Sequence, residues 1–409
     1  MKILFVCHRL PFPPKRGGKI RPFNIIRHLD ALGHEVTVAS LARSREELEE
    51  GMGLRDFCKD MLIERVSGSG AVVRMLARLP TLTPSSMGYF YSPRLARRIA
   101  AAHKEKNFDF IFVHCSSVAG YVADIRGPAK LFDPGDIDSR KWLLYSQCRK
   151  FPLSLGYWLE GIKLERAEKQ LARKFDFCTC TTRAELETFD AFETGVASGW
   201  FPNGVDTDYF SIATAPYDPD LISFVGRMDY YPNQEAMQTF CRSIWPLLRR
   251  RRPATKLRIV GADPSPAIIA LGKLPGVEVT GSVADVRPYV QEAALTVAPL
   301  SIARGTQNKI LESMAMGVPV VASEEAAPGV DAVPGESLLV AGQVQEYCDA
   351  ILGLLDDPAK RERIAAAGRQ RVLDCHSWEQ SMRKLDGLID ECLSQAQRRT
   401  SGGMTESAR

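Results

Sequence analysis

The residues of this 409-residue chain best suited to chemistry lie between Arg304 and Glu312. Gly305 and Thr306 belong to a glycine-containing loop before a predicted helix, in which Lys309 and Glu312 share one helical face. A lysine in the first turn is unfavourable beside the positive end of the helix dipole, and a bound diphosphate would remove that conflict. Glu312, one turn deeper, could accept hydrogen bonds from the two vicinal hydroxyls of a ribose. A Lys–Glu pair on the helix surface is the structural alternative.

A second candidate anion site follows the first predicted strand. Gly17 and Gly18 stand at the turn into a helix, where backbone N–H groups can approach an anion. Four cations belong to the same segment: Lys15, Arg16, Lys19 and Arg21. The spacing is not GxGxxG, and the strand that should end in an acidic ribose ligand ends at Ser40, which disfavours a dinucleotide dehydrogenase. We predict a phosphate site here, with a solvated turn as the alternative.

Two further candidates stand at the ends of predicted strands. Arg227 follows a buried strand and a glycine in FVGRM (224–228), and His114 ends the strand DFIFVH. Side chains just beyond the carboxyl ends of parallel strands face the ligand crevice, where a guanidinium can bind a phosphate bidentately. Taken alone, a surface arginine and a buried core histidine remain the alternatives.

The elements that must position these residues are short apolar strands alternating with helices. This order implies parallel sheets covered by helices, and it restarts after PNGVD (202–206). We therefore predict an α/β fold of two Rossmann-like domains, residues 1–200 and 218–375, whose sheets face a central cleft. A helix over 376–397 is expected to pack back toward the first domain, and residues 398–409 to form a flexible tail.

Composition excludes several classes of protein. Lys and Arg number 53 against 49 Asp and Glu, a net charge of +4, without the basic surplus of a dedicated nucleic-acid binder. No run reaches the roughly 18 apolar residues of a membrane span, and the first residues indicate a buried strand rather than a signal peptide. The ten cysteines form no CxxC pair, as expected for reduced thiols without a zinc site. We expect a cytoplasmic enzyme.

Four segments together resemble glycosyltransferase family 4: Gly17-Gly18, PNGVD (202–206), FVGRM (224–228) and NKILESMAMGVPVVAS (308–323). The resemblance covers residues 1–390 and implies a GT-B fold, a nucleotide-sugar donor and transfer with retention. FDPGDIDSRKW (132–142) and RGTQNKILESMAMG (304–317) are further similar to the subgroup associated with exosortase (PEP-CTERM) exopolysaccharide clusters.

The resemblance also implies roles for single residues. Glu312 matches the second Glu of the family's E-x7-E motif, which binds the donor ribose, and Arg227 matches the cation on the donor diphosphate. Gly17 and Gly18 match the glycine loop on the same phosphates, and His114 falls where many members keep a histidine beside the anomeric centre. The expected donor-binding set is Gly17, Gly18, Arg227, Val283, Arg304, Gly305, Thr306, Lys309 and Glu312. The expected acceptor-side set is Lys15, Arg16, Lys19, Arg21, Asp138 and Lys141.

The chain departs from the family pattern at two positions. Arg304 stands where the first Glu of E-x7-E belongs, which affects recognition of the sugar hydroxyls. The usual lysine six residues after Arg227 is replaced in the stretch YYPN (230–233). We expect Lys309 to supply the missing charge.

These features predict a metal-independent hexosyltransferase that needs no cofactor, since the nucleotide sugar is a substrate. His114, Arg227 and Lys309 are the expected catalytic residues, acting through stabilisation of the leaving group rather than a covalent nucleophile. The expected partners are a nucleotide-sugar donor and a lipid-linked or growing exopolysaccharide acceptor, with no nucleic acid. Arginines among apolar residues in 72–98 suggest a peripheral position on the cytoplasmic membrane, or else an ordinary helix surface. A nucleotide-sugar 2-epimerase and a non-catalytic partner of a polysaccharide synthase remain as alternative functions.

Overall fold

A computed structural model of the chain describes residues 1–14, 17–66, 68–213 and 215–406, with side chains described up to residue 399. Lys15 and Arg16, two of the predicted acceptor-side cations, lie outside the described residues. The chain divides into two compact units, Met1–Phe201 with the segment from Met382 onward, and Pro202–Ser381. The second unit therefore begins at Pro202, earlier than the predicted residue 218, and includes the start of the last helix.

A parallel sheet forms the centre of the first unit. Its strands are β1 (Lys2–Cys7), β2 (Glu35–Ala42), β3 (Asp60–Arg65), β4 (Phe110–His114), β5 (Ala129–Asp133), β6 (Phe177–Cys180) and β7 (Ala197–Trp200). They pair in the order β3-β2-β1-β4-β5-β6-β7. All residues of β4 and β5 are buried, because helices cover both faces of the sheet.

The helices of the first unit follow the strands in the alternation that the sequence predicts. They are α1 (Gly17–Ala31), α2 (Arg45–Gly51), α3 (Gly68–Ala77), α4 (Ser85–Tyr89), α5 (Pro93–Lys106), α6 (Ser116–Ala119), α7 (Asp138–Cys148), α8 (Leu153–Ala172) and α9 (Arg183–Asp190). A short 3-10 helix, Met52–Phe57, follows α2.

The register of the first sheet aligns three strand ends. Cys7 of β1 pairs with His114 of β4, and His114 pairs with Asp133 of β5. Because parallel strands end at the same edge of a sheet, the side chains that follow or end these strands lie near one another. This edge holds the polar cluster of the first unit.

The second unit repeats the arrangement. Its strands are β8 (Asp218–Val225), β9 (Lys256–Val260), β10 (Val277–Gly281), β11 (Ala293–Ala298), β12 (Val320–Ser323) and β13 (Leu339–Ala341), paired in the order β10-β9-β8-β11-β12-β13, all parallel. Its helices are α10 (Tyr231–Thr239), α11 (Trp245–Arg251), α12 (Pro266–Leu271), α13 (Arg287–Gln291), α14 (Asn308–Ala315), α15 (Val344–Leu355) and α16 (Pro358–Cys375), with a 3-10 helix at Ala327–Val330.

The sequence pattern predicts one helix over 233–250, but the structure divides this segment. A π-helical turn, Phe240–Ile244, separates α10 from α11. Pro246 stands in the first turn of α11. It has no N–H to donate, so the preceding turn widens rather than continuing the regular ladder.

The last helix, α17 (Trp378–Glu406), starts in the second unit and continues in the first. Leu385, Ile389 and Cys392 are buried, and His28 Nε2 lies 2.7 Å from Asp386 Oδ1. The helix extends to Glu406, past residue 398, where the sequence predicts a flexible tail. Among the described residues, no helix is long and apolar enough to cross a membrane.

Candidate functional site

In the second unit, the ammonium of Lys309 reaches from the first turn of α14 to α10. Its Nζ donates to Asn233 Oδ1 at 2.6 Å and lies 4.6 Å from the centre of the Phe224 ring. Asn233 is buried, and its Nδ2 donates to the carbonyl oxygen of Arg227 at 2.8 Å. The ammonium is therefore held at the end of β8, the position that the sequence predicts for a diphosphate.

Glycine leaves the space that this arrangement needs. A Cβ at Gly226 would lie 2.7 Å from Asn233 Nδ2 and 3.2 Å from Lys309 Nζ. Gly261 has a φ of +158°, and a Cβ there would lie 1.8 Å from the carbonyl oxygen of Gly226. The ends of β8 and β9 can approach this closely only without side chains.

Lys309 and Glu312 influence each other's protonation. Burial lowers the pKa of Lys309 to about 7, and the negative charge of Glu312 opposes that shift. Burial raises the pKa of Glu312 to about 7, and the positive charge of Lys309 opposes it. Both groups therefore change charge near neutral pH, which makes the cation available to a phosphate dependent on pH.

Arg227 is engaged differently from the expectation. Its Nε and Nη2 donate to the Asp229 carboxylate at 2.9 and 2.6 Å, and Nη2 also donates to Asp263 at 2.7 Å. The hydrogen bond and charge of Asp229, with those of Asp263, raise the pKa of Arg227. A phosphate that binds this guanidinium must compete with two carboxylates.

The loop before α14 is pressed against its neighbours. Gly305 has a φ of +63°, and a Cβ at Gly329 would lie 2.3 Å from the Gly305 carbonyl oxygen. The side-chain oxygen Oγ1 of Thr306 is buried, and the described part of the chain offers it no hydrogen-bond partner. The carbonyl oxygen of Arg304 accepts from Gln307 Nε2 at 3.2 Å. The loop thus presents a hydroxyl suited to a ligand oxygen.

Two other predicted features belong to the second unit. Asn203, from the PNGVD segment, donates to Asn308 Oδ1 at 3.5 Å, so this segment reaches the first residue of α14. Val283 lies in the loop that follows β10 and is half-buried.

In the first unit, His114, Asp133 and Arg21 form a buried cluster. Arg21 Nε donates to Asp133 Oδ2 at 2.9 Å and Nη2 to Oδ1 at 3.3 Å, and His114 Nδ1 lies 3.0 Å from Oδ2. Burial raises the pKa of Asp133, but the charge of Arg21 and the hydrogen bond to His114 outweigh it and hold that pKa well below its usual range. Asp133 is therefore an anion that fixes the ring of His114.

The expected acceptor-side cations of α1 have internal partners. Arg21 is buried, lies 3.5 Å from the centre of the Phe201 ring and donates to the Phe201 carbonyl oxygen at 3.0 Å. Lys19 is buried as well, with its Nζ 3.0 Å from Glu47 Oε1. Both side chains stabilise the first unit, which corrects the expectation that they face an acceptor.

The remaining first-unit residues lie at helix starts. Gly17 and Gly18 are exposed in the first turn of α1, and a Cβ at Gly18 would meet no atom within 4 Å. Asp138 begins α7 and accepts from Ser116 Oγ at 3.3 Å; burial raises its pKa, and the charge of Lys141 opposes this. Asp138 and Lys141 are thus close enough to interact.

Two family models match the chain, one for each unit. The model described as Glycosyltransferase Family 4 matches residues 16–209, and the model described as Glycosyl transferases group 1 matches residues 219–357. The first match ends at residue 209, a little past the start of the second unit at Pro202, and the second match lies wholly within that unit. The chain carries the two domains of a GT-B glycosyltransferase.

One curated relative and several solved structures resemble this glycosyltransferase. A GDP-mannose-dependent monoacylated α-(1-6)-phosphatidylinositol monomannoside mannosyltransferase of Corynebacterium glutamicum is 25% identical over 244 residues, which cover 54% of this chain and 64% of the relative. Sucrose-phosphate synthase from Thermosynechococcus elongatus superposes with a TM-score of 0.71 at 15% identity, over 96% of this chain and 100% of the other. HepE of Anabaena, in complex with UDP, gives 0.68 at 16% identity, over 95% and 100%. These structures confirm the GT-B fold.

Sequence reasoning missed several partners of the glycosyltransferase site residues. Asn233 was noted only as the replacement of a family lysine, although its position six residues after Arg227 was the available signal. Asp263 and Asp133 are 36 and 112 residues from the arginines they bind, and no spacing rule connects such distant positions.

Proposed function

We propose that this glycosyltransferase moves a hexose from a nucleotide-diphosphate sugar to a lipid-linked or growing exopolysaccharide acceptor, with retention of anomeric configuration. The observation that carries the proposal is the Lys309 ammonium, fixed by Asn233 at 2.6 Å beside Gly226, with Glu312 one turn further along α14. This arrangement offers a cation for the diphosphate and a carboxylate for the ribose hydroxyls.

The proposed chemistry is stabilisation of the departing nucleotide. The bond between the anomeric carbon and the β-phosphate oxygen breaks, and the oxygen keeps the electron pair. Lys309 and Arg227 neutralise the added negative charge. The acceptor hydroxyl bonds to the anomeric carbon and passes its proton to the departing phosphate oxygen. No metal or other cofactor is required in this scheme, because fixed cations take the place of a metal.

His114 is the catalytic residue that we propose for the first unit. Because Asp133 holds its Nδ1, the ring is oriented and Nε2 is the atom that can meet a substrate. We propose that it stabilises charge or orients the sugar near the anomeric carbon. Arg21 and Asp133 are positioning residues, since they act through His114.

The choice of donor draws on the relatives. The corynebacterial relative is GDP-mannose-dependent, and HepE binds UDP and UDP-glucose, so guanine and uracil nucleotides are the first donors to test. Arg304 stands in place of a family glutamate. The donor sugar is therefore recognised by a cationic side chain of the protein rather than by a carboxylate. The corynebacterial relative is named for a lipid acceptor. This supports a membrane-borne acceptor for the present chain, reached from a peripheral cytoplasmic position. The exopolysaccharide subgroup rests on the segments 132–142 and 304–317.

A thermal-shift screen tests the proposal. The purified chain is heated with UDP, GDP, ADP and their sugar conjugates, with and without EDTA. A ligand at about 100 times its dissociation constant adds about 2.7 kcal/mol to the free energy of unfolding. Stabilisation by one base in both conditions supports a metal-independent donor site. No response to any nucleotide rejects the transferase. Conversion of the donor sugar in the absence of an acceptor, measured in a separate product assay, rejects it in favour of an epimerase.

A further inference from the structure

Helix α8 turns its apolar side outward. Glu160 and Glu168 are buried, whereas four large apolar side chains are between 44% and 47% exposed: Leu155, Trp158, Leu159 and Ile162. The spacing of these four, i, i+3, i+4 and i+7, places them on one face of the helix. A helix of a soluble domain ordinarily turns such a face to the core, so this face is available for another surface.

A second exposed apolar segment lies in α3 and the turn after it. Val73 and Leu76 of α3 are 64% and 51% exposed, and Leu79 and Leu82 beyond it are 56% and 69% exposed. Eleven of the 23 large exposed apolar side chains in the described part of the chain fall within residues 72–82 and 151–162. Scattered apolar side chains are normal on a surface, but a concentration of this kind marks a binding site.

Polar contacts join the two segments into one surface. Lys163 of α8 donates from Nζ to the carbonyl oxygen of Leu79 at 2.7 Å, which fixes the turn after α3. The buried Glu160 carboxylate accepts from the backbone N–H groups of Ser85 and Ser86 at 3.0 and 2.7 Å, which fixes the start of α4. We call the exposed side chains of residues 72–82 and 151–162, held together in this way, the α3–α8 surface.

The charge around the α3–α8 surface is mainly positive. Residues 65–104 and 139–159 contain no Asp or Glu, although the whole chain has 49. Arg74 and Arg78 lie within the first exposed segment, and Arg149 and Lys150 directly precede the second. A cation beside an anionic lipid surface contributes about 1 kcal/mol to binding. Glu165, three residues after Ile162, is paired with Lys169 at 2.7 Å, so the charge beside the apolar side chains remains mainly positive. Such a surface is complementary to lipid phosphates above acyl chains.

We infer that the α3–α8 surface binds an anionic lipid bilayer, with its apolar side chains below the phosphates and its cations among them. A second copy of the chain on this surface would bring two basic surfaces together, which the charges oppose. The inference rests on the proposed function only in expecting the acceptor to be membrane-borne. The surface itself can be tested without a donor or acceptor.

Sedimentation of the full chain with lipid vesicles tests the inference. Vesicles of phosphatidylcholine are compared with vesicles that also contain phosphatidylglycerol, and we expect binding to the second kind. Leu159→Gln combined with Ile162→Gln should weaken that binding about tenfold or more, because two apolar side chains no longer enter the bilayer. Ile269→Gln combined with Leu274→Gln, a matched exposed pair in the second unit, should bind as the wild type does.

The charge component has its own pair of variants. Lys150→Glu should weaken binding to phosphatidylglycerol vesicles about tenfold, while Lys273→Glu, exposed in the second unit, should not. Equal binding to both vesicle types, or equal losses in test and control variants, overturns the inference. So does a wild-type dimer in solution that the Leu159 and Ile162 substitutions convert to a monomer. Nucleotide stabilisation of the same variants is a separate readout, so failure of the donor site leaves the vesicle result intact.

Discussion

Lys309 Nζ donates to Asn233 Oδ1 at 2.6 Å, although the two residues are 76 positions apart in the chain. Asn233 occupies the position where the family resemblance leads one to expect a lysine, six residues after Arg227. The cation thus comes from α14, and the asparagine on α10 holds it in place. Because Asn233 Nδ2 is itself fixed by the Arg227 carbonyl oxygen, the ammonium has a defined position beside Gly226.

Lys309→Ala is expected to weaken binding of the nucleotide diphosphate by about 1–3 kcal/mol, as much as Arg227→Ala, because each removes one charge-assisted contact. Isothermal titration with the nucleotide found in the screen measures both variants. Lys273→Ala, which removes an exposed lysine of the same unit, is the control and should leave affinity unchanged. An unaltered affinity in Lys309→Ala would contradict the expectation that Lys309 supplies the charge of the missing family lysine.

Nucleotide affinity should fall as the pH rises through about 7, because the pKa of Lys309 is lowered to about 7 and its ammonium loses the proton there. The charge of Glu312 opposes that lowering, so Glu312→Gln should move the midpoint of the fall to lower pH. Titrations across a pH series compare the two proteins. A uniform loss of affinity without a shift of the midpoint would mean that Glu312 acts only on the ribose.

Gly226→Ala should abolish most nucleotide binding while the protein remains folded. The added methyl group would lie 2.7 Å from Asn233 Nδ2 and 3.2 Å from Lys309 Nζ, and therefore displaces the side chains that form the site. Gly156→Ala in α8, where a Cβ meets no atom within 4 Å, is the matched control and should stabilise by roughly 0.5–1 kcal/mol. Thermal unfolding with and without nucleotide separates the two effects. Normal binding by Gly226→Ala would place the donor elsewhere.

Asp133→Asn should lower the free energy of unfolding by about 3–5 kcal/mol, because it leaves the buried Arg21 without its counterion. Urea denaturation measures the loss, and Asp124→Asn, which breaks an exposed pair with Lys174, should cost less than about 1 kcal/mol.

The free energy of unfolding of Asp133→Asn should also depend on pH differently from that of the wild type. The pKa of Asp133 is depressed in the folded protein, so the ionised carboxylate contributes stability above its unfolded pKa of about 3.9, and the contribution is lost as pH falls. The wild type should therefore lose stability in acid more steeply than Asp133→Asn. Parallel curves would show that Asp133 titrates normally.

The fold could be predicted wherever burial leaves a signal in the sequence. β1, β4 and β11 are continuous apolar runs, as strands covered on both faces must be, and the helices between them are evident from apolar spacing. β7 and β13, of four and three residues, are too short to leave such a signal in the sequence. PNGVD marks the point in the sequence where the alternation of strands and helices restarts.

The candidate site was only partly predictable, because charged side chains that are far apart in the sequence lie close together in it. Lys309 and Glu312 are three residues apart on one helix, and helical geometry alone places them on one face. Arg21 was expected to meet an acceptor, but it lies against Asp133, because a charge can be buried only beside a counterion. The outward apolar face of α8 also escaped notice, since apolar spacing does not reveal which side of a helix is solvated.

The return of α17 to the first unit affects how the chain is made. Leu385, Ile389 and Cys392 complete the core of that unit, and Leu388 packs beside Gly199. The ribosome synthesises these residues only after all of Pro202–Ser381. That second unit is continuous in sequence and needs no later segment to complete it. The nascent first unit therefore carries an uncovered apolar face while Pro202–Ser381 is synthesised, and a chaperone can bind that face during this time. The second unit can finish folding before the first.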